Sequence, residues 1–173
     1  MKIFIGSSSR NEIDDQYLKE ADALSKALSK ETLVFGAGST SMMGRCYDNF
    51  DKVIGFTTKK WQDDIKNLDK ATVKVEDSTF DRLKAIYKES DLFIIMPGGI
   101  GSLSELLGLL EENRDSGLNK KIIVYNYAGF YDKLLDLIED MKNKGFVRET
   151  DFNNMHIYDN ICDIKGEVYG KTN

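Results

Sequence analysis

The chain has 173 residues, 41% hydrophobic and 31% charged, the balance of an ordinary globular protein rather than a disordered or fibrous one. One domain over residues 1–173 is expected, and a chain of this size buries roughly 70% of its unfolded surface, so its core needs no staples. A formal net charge of −5 argues against a nucleic-acid partner, and no apolar run approaches the ~20 residues of a membrane span.

The two cysteines, Cys46 and Cys162, form no CxxC pair and read as free thiols of a reducing compartment. The opening "MKIFIGSSS" is too short for a signal-peptide core and reads as a first strand. A cytoplasmic chain is therefore expected. The β-rich run "KIFI" (2–5) stops at Gly6 and three serines. Leu18, Ala21, Leu24, Ala27 and Leu28 recur at helical spacing over 13–30. "TLVF" (32–35) is a second strand, ended by "GAGS", with a short helical piece from about Met42. "KVIGFTT" (52–58) and "ATVKVE" (71–76) are strands three and four, and the polar stretch 59–70 between them carries no clear periodicity.

"STFDRLKAIYKES" reads as a helix with Phe80, Leu83, Ile86 and Tyr87 on one stripe. "DLFIIM" (91–96) is the most apolar strand, followed by "PGGIGS" and a helix from Gly101 to about Arg114, whose inward stripe is read as Leu103, Leu106, Leu107 and Leu110. "KIIVYN" (121–126), an amphipathic helix over 130–143 and a short strand over 154–159 complete the pattern. Strand and helix alternate, and the strands are continuously apolar. That predicts an α/β, Rossmann-like three-layer αβα fold on a mainly parallel sheet of six to seven strands.

In such a sheet, ligands sit beyond the carboxyl ends of the strands. Three loops there share one chemistry: Gly6, Ser7 and Ser8 after strand one; Gly36, Gly38, Ser39, Met43 and Gly44 after strand two; Gly98, Gly99, Gly101 and Ser102 after strand five. Glycine lets a backbone approach a ligand closely. Two of these loops open into helices, whose first N–H groups attract an anion by ~0.3–2 kcal/mol, so a phosphate is the expected guest. The dinucleotide fingerprint fails, because Ser41 stands where it needs glycine, and there is no P-loop string. Glu105 shares a helix face with Ser102, read as the side away from the leucine stripe, and Arg82 flanks the apolar stripe of its own helix. From spacing alone, a solvated charge is the better reading of either. His156 reads as a surface or structural residue of an edge strand. "EENRD" (111–115) reads as a solvated helix end, although Glu111 and Arg114 continue the helix that bears Glu105. Trp61 and the other aromatics read as core, with Met42 and Met43 available to border a base pocket.

At these residues the sequence resembles the Lonely Guy family, long labelled possible lysine decarboxylases. "PGGIGSLSE" (97–105) is similar to its PGGxGTxxE signature, "FGAGSTSMMG" (35–44) to its second glycine loop and "IFIGSSS" to its first strand and turn. "FDRLKAIYKESDLFIIMPGG" (80–99) and "YNYAGFYDKLLDLIEDMKNKGFV" (125–147) follow in family order. The resemblance implies a phosphoribohydrolase. Such an enzyme cleaves the N-glycosidic bond of AMP or N6-substituted adenine nucleotides to free base and ribose 5-phosphate. It implies Arg82 and Glu105 as the catalytic pair, Gly98, Gly99, Gly101 and Ser102 as the phosphate seat, and a homodimer with sites near the interface. No cofactor is expected, and no histidine–cysteine–carboxylate spacing suggests a metal. The chain departs from the family in Leu83 for a lysine, Ser102 for threonine, Ser104 for the first of two glutamates and Ala37 for a glycine. The alternative is a non-catalytic nucleotide or molybdenum-cofactor carrier on the same fold. A pyridoxal-phosphate enzyme needs a Schiff-base lysine, and no lysine here stands in a distinctive apolar or glycine context.

Overall fold

The structure, a computed structural model, describes residues 1–170. Strands β1 (Lys2–Gly6), β2 (Thr32–Phe35), β3 (Lys52–Thr58), β4 (Ala71–Glu76), β5 (Leu92–Ile95), β6 (Ile122–Tyr125) and β7 (Met155–Tyr158) form one sheet in the order β4-β3-β2-β1-β5-β6-β7. Every pair is parallel, including the edge pairs β3–β4 and β6–β7. Helices α1 (Asp15–Leu28), α2 (Ser41–Asn49), α3 (Thr79–Glu89), α4 (Ile100–Ser116), α5 (Asp132–Asn143) and α6 (Ile161–Tyr169) cover it. None among the described residues is long and apolar enough to cross a membrane.

Side chains alternate across a strand, so each central strand feeds two cores. Ile3 and Ile5 pack with Leu24 and Leu28 of α1, Met42 and Cys46 of α2 and Ile164 of α6. Phe4 turns to the other face and packs with Ile86 and Tyr87 of α3, Leu106, Leu109 and Leu110 of α4, and Tyr131. These are the three layers expected, with both faces covered as an all-parallel sheet requires.

The order reverses at β1, which pairs with β2 on one side and with β5 on the other. The crevice at such a reversal is where doubly wound sheets take ligands. The loops after β1 and β5 flank it, and the loop after β2 lies next to them.

Three sequence expectations are corrected. Phe80 is 86% exposed instead of lying on the buried stripe of α3. Trp61 is 54% exposed and so is not a core residue. On α4 the buried residues are Ser102, Glu105, Leu106, Leu109, Leu110 and Asn113, while Leu107 is half exposed. Glu105 therefore points inward with the leucines rather than away from them. Helix α6 and the 3-10 turn Gln62–Asp64 within the unpatterned stretch also emerge only in the structure.

Candidate active site

At the carboxyl edge of the sheet the three loops enclose a cleft with two lobes. The first, about 620 Å³, lies between the loop after β1 and Pro97–Gly99, with Tyr17 and Phe130 on its walls. The second, about 600 Å³, lies between the loop after β1 and Gly36–Thr40, with Met43, Trp61, Ile65 and Arg82 around it. Ser9 and Arg10 border both lobes.

Helix caps differ around this cleft. The α1, α3 and α6 starts are closed by Asp14, Ser78 and Asn160, each accepting a backbone N–H. The α2 and α4 starts at the glycine loops have no side-chain cap. Part of the α2 start is used by the protein, since Met43 N–H donates to the Ser8 carbonyl at 3.2 Å, and the Thr40 hydroxyl donates to the Ser9 carbonyl at 2.9 Å. These bonds tie the first loop to the second. At the α4 start no side chain caps the first N–H groups, which lie at the positive end of the helix dipole.

The glycines of "PGGIG" have two different causes. A side chain on Gly98 would overlap Ser102, so Gly98 makes room for the buried Ser102 hydroxymethyl group. A side chain on Gly99 or Gly101 would meet no protein atom within 4 Å, and neither residue has positive φ. The fold therefore makes no demand for glycine at either position. Bare backbone facing open space is what close approach of a ligand needs.

Arg82 of α3 and Glu105 of α4 meet where the two helices begin, with Arg82 Nη2 donating to Glu105 Oε1 at 3.0 Å. Two glycines make this pairing possible. A Cβ on Gly6 would stand 2.9 Å from Glu105 Oε2, and one on Gly36 would stand 3.3 Å from Arg82 Nη1. Arg82 lines the second lobe and Glu105, only 4% exposed, lies behind it. Burial pushes the Glu105 carboxyl from 4.5 up to about 7, against the opposing pull of Arg82, so near neutrality the group can either give or take a proton. Tyr131 closes the far side. Its hydroxyl donates to the Met96 carbonyl at 2.7 Å and holds the end of β5, and its own ionisation is pushed up by burial and then by Glu105.

Several polar atoms here are left over. Among the described residues, Ser41 Oγ, Arg82 Nε and Ser90 Oγ are buried without a hydrogen-bond partner, the first at the α2 start and the second at the cleft, while Ser7 Oγ has the buried Cys46 thiol beside it. An unpaired buried polar atom costs ~1–3 kcal/mol, the kind of strain found where a ligand completes the network. Ala37 and Ser41 also hold left-handed backbone, with φ of 58° and 55°, at ~1–3 kcal/mol each.

Of the residues read from sequence, Ser8, Gly98 and Gly99 line the first lobe, and Gly36, Gly38, Ser39, Met43 and Arg82 line the second. Gly6, Ser7, Ser102 and Glu105 lie buried beneath them. Gly44 packs against the Ser39 carbonyl, and Gly101 stands exposed on the first turn of α4. Glu111 and Arg114 pair with each other at 2.5 Å, outside both lobes. Leu83, where the family has a lysine, packs tightly on Gly108 between α3 and α4. Sequence reasoning placed Ser9 in the "GSSS" loop (6–9), read Trp61 as core, and missed Arg10, Tyr17 and Phe130. Arg10 directly follows the serines already singled out, and Phe130 falls in the segment resembling the family.

The family model described as "Possible lysine decarboxylase" matches residues 40–167. A probable cytokinin riboside 5′-monophosphate phosphoribohydrolase of Arabidopsis thaliana is 31% identical over 86% of this chain and 76% of its own. The enzyme of that name in Mycobacterium marinum is 26% identical over 86% and 83%. Among solved structures, the molybdenum cofactor carrier protein of Chlamydomonas reinhardtii superposes with a TM-score of 0.69 at 13% identity, covering 96% of this chain and 94% of that one. That likeness is one of fold.

Proposed function

From the premise that this chain belongs to the possible lysine decarboxylase, or Lonely Guy, family, we propose that it is a nucleoside 5′-monophosphate phosphoribohydrolase. It hydrolyses the N-glycosidic bond of AMP or an N6-substituted adenine nucleotide to free base and ribose 5-phosphate. The observation that carries the reading is the buried Arg82–Glu105 pair next to an uncapped helix start with two glycines the fold itself does not require.

Breaking the bond builds positive charge on the ribose, and a carboxylate stabilises that charge and activates a water for attack on the sugar carbon. Glu105 supplies it. The leaving base gathers negative charge, which the Arg82 guanidinium stabilises until the base takes up the proton that Glu105 removed from the water. In the free chain Arg82 covers Glu105, so an anionic ligand that draws the guanidinium toward itself uncovers the carboxylate. The phosphate, on the backbone of Gly99–Ser102, provides binding energy remote from the reacting bond and fixes the sugar. Decarboxylation of lysine gains no support from the site. The lysine whose ammonium burial destabilises, Lys120, donates to the Tyr87 and Ser90 carbonyls at the carboxyl end of α3, at the opposite edge of the sheet.

The same reading takes the chain as a homodimer. Ile100 (88% exposed) and Leu107 lie two turns apart on α4, and Phe80 lies in the first turn of α3. They offer such a dimer exposed apolar side chains, two of them at the starts of the helices that carry Arg82 and Glu105. The deciding experiment incubates the protein with AMP and with isopentenyl-adenosine monophosphate and assays ribose 5-phosphate. Release of ribose 5-phosphate is expected. Tight binding without release would move the chain to the carriers.

A further inference from the structure

Resting on the proposed function and deepening it, we infer that Trp61 is the stacking wall for the substrate's base, and that the second lobe is the base subsite. An exposed apolar side chain alone signifies little, but the position of this one is specific. Trp61 stands just beyond the carboxyl end of β3, where its N–H donates to the Thr58 carbonyl at 2.9 Å. The neighbouring Lys59 N–H donates to the Glu76 carbonyl at 3.2 Å, so the turn is tied to both β3 and β4. The indole borders a lobe of about 600 Å³ that also holds Arg82, Met43 and Ile65.

The lobes divide the ligand by chemistry. Gly98 and Gly99 belong to the first lobe, so the phosphate enters there. Arg82 and the carboxylate behind it belong to the second, so the scissile bond to the base is directed there. A planar base in the second lobe needs a flat apolar surface, and Trp61 carries the one aromatic ring among the residues that border it, with Met43 and Ile65 as its other large apolar side chains. Lys60 Nζ lies 4.7 Å from the Trp61 ring centroid and covers at most one face of the indole. The exposure of 54% leaves area for a planar partner. Stacking tolerates any base, so this wall contributes affinity for a purine and leaves the choice among purines to other groups.

Trp61 is the only tryptophan of the chain, so its emission reports on this lobe alone. AMP and ribose 5-phosphate are titrated against the wild-type protein, with calorimetry and tryptophan fluorescence recorded together. Both ligands are expected to bind, and only AMP is expected to quench the emission. Trp61→Ala should weaken AMP about tenfold and leave ribose 5-phosphate within about twofold, while Trp61→Phe, which keeps a stacking ring, retains most of the AMP affinity. AMP binding with unchanged emission overturns the inference, as does equal loss of both ligands in Trp61→Ala. Failure of the wild-type protein to bind AMP removes the proposed function and this inference together. Binding with quenching but no hydrolysis keeps the stacking wall and removes only the catalytic reading.

Discussion

Glu105 is a carboxyl group with almost no water around it, and its response to pH follows from that. Its folded pKa of about 7 lies above the ordinary 4.5, so the folded chain holds this proton more tightly than the unfolded one. The resulting stability is complete below about 4.5 and is lost as pH rises through 7. Glu105→Gln, which stays neutral, should therefore melt higher than wild type at pH 8, with the gap closing below pH 5. Roughly 2–4 °C per kcal/mol makes this readable by calorimetry. In the opposite sense, kcat/KM of the wild type should climb as pH rises through about 7, because the ionised carboxylate acts. Glu105→Gln should lose this limb along with ~10²–10⁴ in rate. Gly99 and Gly101 separate fold from ligand. Gly101→Ala, inside α4, should stabilise the protein by ~0.5–1 kcal/mol, and Gly99→Ala should be nearly neutral. Both should weaken ribose 5-phosphate binding measured by calorimetry, and unchanged binding would mean that the phosphate sits elsewhere. Gly6→Ala is the converse case. Its methyl group meets Glu105 Oε2, Ile95 Cδ1 and the Phe4 ring at 2.9–3.1 Å, which should cost ~1–3 kcal/mol of stability as well as activity.

At the scale of elements, α3 and α4 present the Arg82–Glu105 pair at one end and are clamped together at the other. Asn113 Oδ1 accepts from the Tyr87 hydroxyl at 2.8 Å and from Lys120 N–H at 2.9 Å, and its amide donates to the Lys120 carbonyl at 2.6 Å. Asn113→Ala leaves these buried groups short of partners and should cost ~2–4 kcal/mol, seen as a lower melting temperature. Activity per folded molecule should be preserved if the clamp acts only on stability. The sequence made these two helices visible but not their rotation. In α4, leucines at 103, 106, 107, 109 and 110 run round much of the cylinder, so periodicity picks no direction, and a buried Glu105 or Asn113 leaves no hydrophobic signal. In α3, Phe80 joined the apolar stripe by spacing, yet it lies in the first turn, past the end of the sheet's cover. The strands were legible because apolar runs such as "DLFIIM" are long and stop at glycine or proline. The glycine loops were legible for the same reason. Trp61 was not, because the residues around it follow neither a helical nor a strand period, and its position depends on the ends of β3 and β4.

At the scale of the whole molecule, the reversal of strand order at β1 brings together loops separated by some 90 residues, since Gly6 pairs in register with Ile95. Phe80 and Ile100 are exposed at the starts of α3 and α4, the two helices that carry Arg82 and Glu105, and Leu107 is half exposed two turns further along α4. If they form the dimer face, Ile100→Asp should shift the protein from dimer to monomer in light scattering after size exclusion. Its melting temperature should then lack the dependence on protein concentration expected of a wild-type dimer. A wild-type protein that is monomeric at micromolar concentration would remove the homodimer from the proposed function.

The central place of β1 has a consequence during synthesis. The chain makes β1 first but pairs its second edge only with β5, after roughly 60 residues beyond β2, or about 3–12 s at ribosomal speed. For that interval Phe4 and Ile5 border an open, hydrophobic strand edge, the feature that recruits other chains or a chaperone. Substitutions that loosen the β1–β5 pairing should therefore show first as lost yield in the cell, before any defect appears in the molecules that reach the folded state.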